Sequence, residues 1–203
     1  PWSRTTGMDR AADNHYPTSC TEVIAARDVP SIAADDCVLF LCATAPMLPH
    51  ALLVMAAWGF DYKSNYVLEK DRIITGYWNR NKHEHLLIGV KGHIPCPAPG
   101  TQWDSIIPAP VGGHSEKPVA MLEMIEQYFP TLPKIELNRR GPVRPGWSAW
   151  GNEVEHDPDT TRRRPATVGG HRGRVGRDRH GADERVPHAV AGVDVAHHGV
   201  AVG

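Results

Sequence analysis

Beyond Glu153 the chain uses only Ala, Val, Gly, Pro, Thr, His, Arg, Asp and Glu, and this break in composition limits what the whole can fold into. A segment with no Leu, Ile, Met or aromatic residue buries too little apolar surface to offset the entropy of ordering it. Residues 154–203 are therefore expected to form a disordered, low-complexity tail, and the core must come from residues 1–153. Restriction to residue types with G- or C-rich codons also fits a shifted reading frame, which the nucleotide sequence would test. Removing the tail's eight Arg from 22 basic residues, and its seven acids from 23, leaves a slightly acidic body with 14 basic and 16 acidic residues. Six of the twelve His lie in the tail, but their scattered spacing does not make a metal site.

Within the body, the stretch from His114 to Glu153 carries the most information. Lys117-Pro118 opens a helix in which Met121, Leu122, Met124, Ile125 and Phe129 recur at helical spacing, with proline where its missing N–H costs little. Pro130 and Pro133 end it. Ile135 and Leu137 then alternate with charged neighbours before the polar loop Asn138-Arg139-Arg140-Gly141. This helix, strand and polar-loop unit suits an α/β sheet, in which ligands bind at the carboxyl ends of the strands. Lys117, Arg140 and the Asn152-Glu153 pair are thus candidates to converge on one small polar ligand. On spacing alone, Arg139, Arg140 and Arg144 fit a solvated surface run equally well.

Upstream, Pro1 to Tyr16 reads as a loop, and Cys20 to Val29 as a short helix capped by Thr18 or Ser19, with Glu22 in its first turn. Cys37 to Ala43 is a dense apolar run of strand length, consistent with a strand buried on both faces. Met47 to Trp58 is helical in length and composition, and Gly59 closes it. Phe60 to Val67 and His85 to Val90 are further strands, and a proline-rich connection from Pro95 to Pro110 holds a short strand at Ile106-Ile107. Between the two longer strands, residues 70–82 mix Lys70, Arg72, Arg80 and Lys82 with Tyr77 and Trp78. Cations meet phosphates and rings stack on bases, so this loop is a candidate nucleic-acid contact; a plain solvated loop or a subunit contact accounts for the same composition.

The chain's 203 residues allow one domain with a sizeable core, and 41% hydrophobic content suits a soluble globular class. A net charge of −1 gives no global basic field, so any nucleic-acid binding must use local patches. Cys20, Cys37, Cys42 and Cys96 show neither a CxxC pair nor His/Cys metal spacing, which points to reduced structural thiols, a cytoplasmic setting and no metal. No apolar run approaches the ~20 residues of a membrane span, and no signal-like start is seen.

Read together, His114-Ser-Glu-Lys-Pro118, Lys134-Ile-Glu-Leu137 followed by Arg140, and Arg144-Pro-Gly-Trp-Ser-Ala-Trp-Gly-Asn-Glu153 resemble the closing segment of the adenine-N6 methyltransferases with the Asp-Pro-Pro-Trp signature. Pro1-Trp2 resembles the last half of that signature, and Tyr16-Pro17-Thr18 the turn that follows it. Val38–Leu41, Ala57–Phe60, Gly76–Trp78 and His83–Gly92 then come in the family's order. The resemblance implies a Rossmann-like, S-adenosylmethionine-dependent α/β fold, incomplete at its N-terminus, acting on the N6 amine of adenine in nucleic acid, DNA in preference to RNA. It implies catalytic Pro1 and Trp2, substrate contacts from Tyr16, Lys70, Tyr77, Trp78 and Arg80, and a cofactor site of Lys117, Asn138, Arg140, Asn152 and Glu153. It also allows a homo- or hetero-oligomer.

The chain departs from the family pattern in places. Asn138 stands where many members have Phe, Cys42 where many have Trp, and Leu68-Glu69-Lys70 where a Trp-Val-Lys type of run is usual. The signature's Asp would precede Pro1, so the carboxylate that accepts from the adenine amine has no counterpart among these residues. Two expectations follow: a methyltransferase domain, or an inactive relative that serves as a nucleic-acid-binding or partner subunit.

Overall fold

The uninterrupted apolar run Cys37–Thr44 (β1) is a strand with all eight residues buried, as a strand covered on both faces must be. Its alternate side chains divide the core. Leu39, Leu41 and Ala43 pack with Ile24, Val54, Met55, Trp58 and Phe60 on one face. Val38, Phe40 and Cys42 pack with Leu68, Leu86, Met121, Leu122 and Ile125 on the other. The computed structural model from which this is drawn describes residues 19–74, 78–112, 117–150, 153–155 and 188–194.

Helix α1 (Thr21–Ala25) and helix α2 (Leu48–Ala57) supply the first layer. α1 starts one or two residues later than the candidate caps suggested: Cys20 is the N-cap, and no side chain caps it. α2 carries Pro49 in its first turn and ends before Gly59, whose φ of 80° lies in the left-handed region that glycine adopts without strain. Helix α3 (Val119–Tyr128) covers the second face, burying Met121, Leu122, Met124 and Ile125 at the predicted spacing. The remaining strands are β2 (Asp61–Glu69), β3 (His83–Lys91), β4 (Ile106–Pro108), β5 (Lys134–Leu137), β6 (Arg140–Pro142), β7 (Trp147–Trp150), β8 (Glu153–Glu155) and β9 (His188–Asp194).

Seven strands form one sheet in the order β4-β2-β3-β1-β9-β5-β7, and β6 pairs with β8 in a small parallel ribbon. β3 is antiparallel to both β1 and β2, whereas β4, β9, β5 and β7 each run parallel to the neighbour through which they join the sheet. Six of the seven strands therefore point the same way, with β3 the exception. Gly89 permits the close approach of α2 to β3: a Cβ there would lie 2.9 Å from Met55 Sδ and 3.0 Å from Phe60 Cβ. The proline-rich connection is tied down by Tyr128, whose hydroxyl accepts from Trp103 N at 2.6 Å and pairs with Tyr66 Oη at 2.9 Å.

Of the residues beyond Glu153, the described ones lie in two strands: β8 pairs with β6, and β9 lies between β1 and β5. An interior strand pairs its backbone on both edges, so its hydrogen bonds do not depend on the size of its side chains.

Candidate functional site

Six strands running one way put their carboxyl ends on one edge of the sheet, at Thr44, Glu69, Pro108, Leu137, Trp150 and Asp194. Open α/β sheets bind ligands at that edge. Lys70 follows the last residue of β2, and Asn138 follows the last residue of β5. Lys117 lies two residues before the start of α3, just ahead of its N-cap Pro118, and α3 returns the chain from beyond the end of β4 to the start of β5 and so begins on the same side.

At one end of this edge, Lys70 is buried, and its Nζ lies 3.1 Å from Glu84 Oε2. Its own N–H donates to Lys82 O at 2.7 Å, closing the base of the hairpin between β2 and β3. Glu84 faces the last residue of β1, Thr44, and Leu68 of β2 in the ladder. Further out, Trp78 is fully exposed and Arg80 is exposed beside it, while Asn81 between them and β3 is buried with no partner for its Oδ1. His83 and His85 stack edge to face, 5.2 Å between centroids. Burial first, and His83 second, hold His85 below the ordinary imidazole range.

At the other end, Asn138 takes φ 59°, a left-handed turn that Asn tolerates better than most residues. Its Oδ1 accepts from Arg27 Nη1 at 3.3 Å, and the same guanidinium sits 5.9 Å from the centroid of the Trp150 ring. Arg139 N donates to Trp150 O at 3.2 Å, tying the end of β5 to the end of β7. Beyond the turn, Arg140 and Glu153 are register partners in the β6–β8 ribbon. The backbone thus brings these two candidates side by side.

Two neighbouring arginines are structural, which corrects their reading as a solvated run. Arg139 Nη1 pairs with the buried Glu136 Oε2 at 3.2 Å, and its Nε and Nη2 donate to Pro142 O. Arg144 grips Glu126 with two bonds, Nε to Oε1 at 2.6 Å and Nη2 to Oε2 at 2.8 Å, and Trp147 Nε1 donates to Oε1 at 2.8 Å. Held chiefly by Arg144, the Glu126 carboxyl is pulled down to about 2. This clamp fixes α3 against β7.

Lys70 and Asn138 thus follow the carboxyl ends of β2 and β5, Lys117 lies ahead of α3, Arg140 and Glu153 are register partners, and Trp78 and Arg80 lie between β2 and β3. Pro1, Trp2, Tyr16, Tyr77 and Asn152 lie outside the described residues. Glu84, Arg27 and Trp150 are missed by sequence reasoning. The His-Glu-His run around Glu84 was visible, but its pairing with Lys70 is a cross-strand relationship, and Arg27 meets Asn138 only through the fold.

The family model described as MT-A70 matches residues 1–153. The chain belongs to the MT-A70 family. Over 145 residues it is 37% identical to the Type II methyltransferase M.MunI of Mycoplasma sp, an alignment covering 71% of this chain and 62% of that protein. It is 32% identical over 161 residues to the N(6)-adenosine-methyltransferase catalytic subunit METTL3 of Homo sapiens, covering 73% of this chain and 27% of that protein. For the METTL3 subunit of Danio rerio the figures are 33% over 149 residues, 69% and 25%. The chain thus spans less than two thirds of M.MunI and about a quarter of the METTL3 proteins.

As an MT-A70 chain with a mixed α/β sheet, it has the fold class of S-adenosylmethionine-dependent methyltransferases, and the family's methyl donor is that cofactor. Lys117 is buried, and Glu153 stands beside Arg140 in the β6–β8 ribbon. No helix among the described residues is long and apolar enough to cross a membrane.

Proposed function

We propose that this MT-A70 chain is an adenine-N6 methyltransferase domain acting on nucleic acid, DNA in preference to RNA, with S-adenosylmethionine as methyl donor. What supports the reading is the match of the family model to residues 1–153, together with the positions of Lys70 and Asn138 just after the carboxyl ends of β2 and β5 and the pairing of Arg140 with Glu153. DNA is favoured because the bacterial relative, named a type II methyltransferase, is matched over 62% of its length.

The adenine amine is a poor nucleophile because its lone pair is delocalised into the ring. Its rate must therefore come from orientation, with acceptors holding the amine hydrogens and aromatic rings holding the base. Pro1 would offer a carbonyl for that purpose, and Trp2 and Tyr16 would pack near the base. The exposed Trp78 and Arg80 would engage the nucleic acid by stacking and charge, while Lys70, buried and paired with Glu84, would hold the base of their hairpin. Lys117, Asn138, Arg140, Asn152 and Glu153 would hold the cofactor, which when bound supplies an electrophilic methyl on a sulfonium.

Calorimetric titration with S-adenosylhomocysteine tests the cofactor half. Lys117→Ala and Asn152→Ala should each weaken binding at least tenfold. Unchanged affinity in both, in a parent that binds, would remove these residues from the site.

A further inference from the structure

Three residues far apart in sequence close a ring of contacts just past the carboxyl end of β5. Arg27 lies between α1 and β1, Asn138 follows β5, and Trp150 ends β7. Arg27 Nη1 donates to Asn138 Oδ1 at 3.3 Å, and its guanidinium sits 5.9 Å from the centroid of the Trp150 ring. Trp150 O in turn accepts from Arg139 N at 3.2 Å, which fixes the ring to the turn that carries Asn138. The base of Arg27 is held as well: its N–H donates to Ile24 O at 3.1 Å, and its carbonyl accepts from Val29 N at 2.8 Å.

The chemistry of the two side chains makes this contact directional. A guanidinium carries donors and no acceptor, so the atom of the Asn138 amide that faces it must be the oxygen. The two Nδ2 donors are thereby turned away from Arg27. An asparagine without such a neighbour can rotate its amide and present either an acceptor or a donor, because that last torsion is broad and roughly two-fold. Here the backbone of residue 138 is also set, at φ 59°, so both ends of the side chain are constrained. The cation–ring contact further restricts an arginine that would otherwise sample many rotamers.

We propose that Arg27 is a positioning residue for the cofactor site: it holds the Asn138 amide with its N–H donors free for the ligand, so that position 138 recognises a hydrogen-bond acceptor on the cofactor's nucleoside. The inference rests on the cofactor reading above, in which Asn138 is a cofactor contact. Trp150 acts one step further out, by holding Arg27.

Calorimetric titration with S-adenosylhomocysteine, paired with denaturant unfolding of the full chain, tests it. Asn138→Asp tolerates the left-handed turn and still accepts from Arg27, but it offers no donor. Its unfolding midpoint should equal or exceed that of the parent while its affinity falls at least tenfold. Affinity equal to the parent's would overturn the donor role of residue 138.

A double-mutant cycle separates positioning from mere support of the fold. Arg27→Ala should weaken binding at least fivefold in the parent and less than twofold in an Asn138→Gly background, where φ 59° is tolerated and no amide remains to be oriented. An equal loss in the two backgrounds would show that Arg27 acts through the fold and would overturn its positioning role. The reading and the inference fail separately. A parent that binds no S-adenosylhomocysteine removes both, whereas a parent weakened by Lys117→Ala but not by Asn138→Asp keeps the cofactor site and loses the inference.

Discussion

Lys70 Nζ and Glu84 Oε2 lie 3.1 Å apart at the mouth of the β2–β3 hairpin, with only 9% of the lysine side chain and 24% of the glutamate exposed. The pair joins the last turn of β2 to the start of β3, where the ladder also meets the end of β1. A buried ammonium deprived of its carboxylate keeps its desolvation cost and loses its compensation. Glu84→Leu alone should therefore lower stability by about 1–3 kcal/mol, while adding Lys70→Met to it should recover much of that loss. Denaturant unfolding of the four-member cycle checks it, and strictly additive effects would show that the two side chains are not coupled.

Glu126 gives the protein an acid-sensitive clamp. Its carboxyl is lowered from 4.5 to about 2, chiefly by Arg144, so the clamp is at full strength above pH 4.5 and is lost as pH falls from 4.5 toward 2. Both side chains are partly solvated, 26% and 34% exposed, which limits the effect to on the order of 1 kcal/mol. In Glu126→Gln the fall in stability between pH 4.5 and pH 2.5 should be shallower than in the parent. Parallel stability curves for the two proteins in that window would contradict this.

The hairpin tip should matter for nucleic acid and not for folding. Trp78 is fully exposed and Arg80 is exposed, so Trp78→Ala and Arg80→Ala should leave the unfolding midpoint within about 0.5 kcal/mol of the parent. Trp78→Ala should weaken oligonucleotide binding by about 1–3 kcal/mol through lost stacking. Arg80→Ala should reduce the slope of log affinity against log salt by about one phosphate contact. Fluorescence anisotropy at several salt concentrations measures both. Affinity and slope unchanged in both variants would make this hairpin a plain solvated loop.

Much of the architecture was legible because local pattern and tertiary role agreed. The apolar density of Cys37–Ala43 could only be a strand covered on both faces, and Met121, Leu122, Met124 and Ile125 could only line one face of a helix. The positions of Lys117 ahead of α3 and of Asn138 and Arg140 after β5 were legible from the helix, strand and polar-loop pattern. What could not be read depends on partners distant in sequence. Arg144 finds Glu126 on α3, Arg27 finds Asn138 and Trp150, and Lys70 finds Glu84 across a hairpin. The pairing of β9 was not legible because composition measures what a segment can bury by its own side chains, whereas its two ladders are made by the backbone.

The central claim is methyl transfer to adenine N6, and nucleoside mass spectrometry after reaction with labelled S-adenosylmethionine tests it most directly. Adenine-containing DNA and RNA oligonucleotides would be incubated with this chain and with a version in which Asp-Pro and its preceding strand stand before Pro1. Because a positioned acceptor for the amine is commonly worth on the order of 10²-fold in rate, the extended version should form N6-methyldeoxyadenosine at least that much faster. DNA should be the better substrate. Methylation at another position, or no N6-methyladenine from either version on either nucleic acid, would contradict the account.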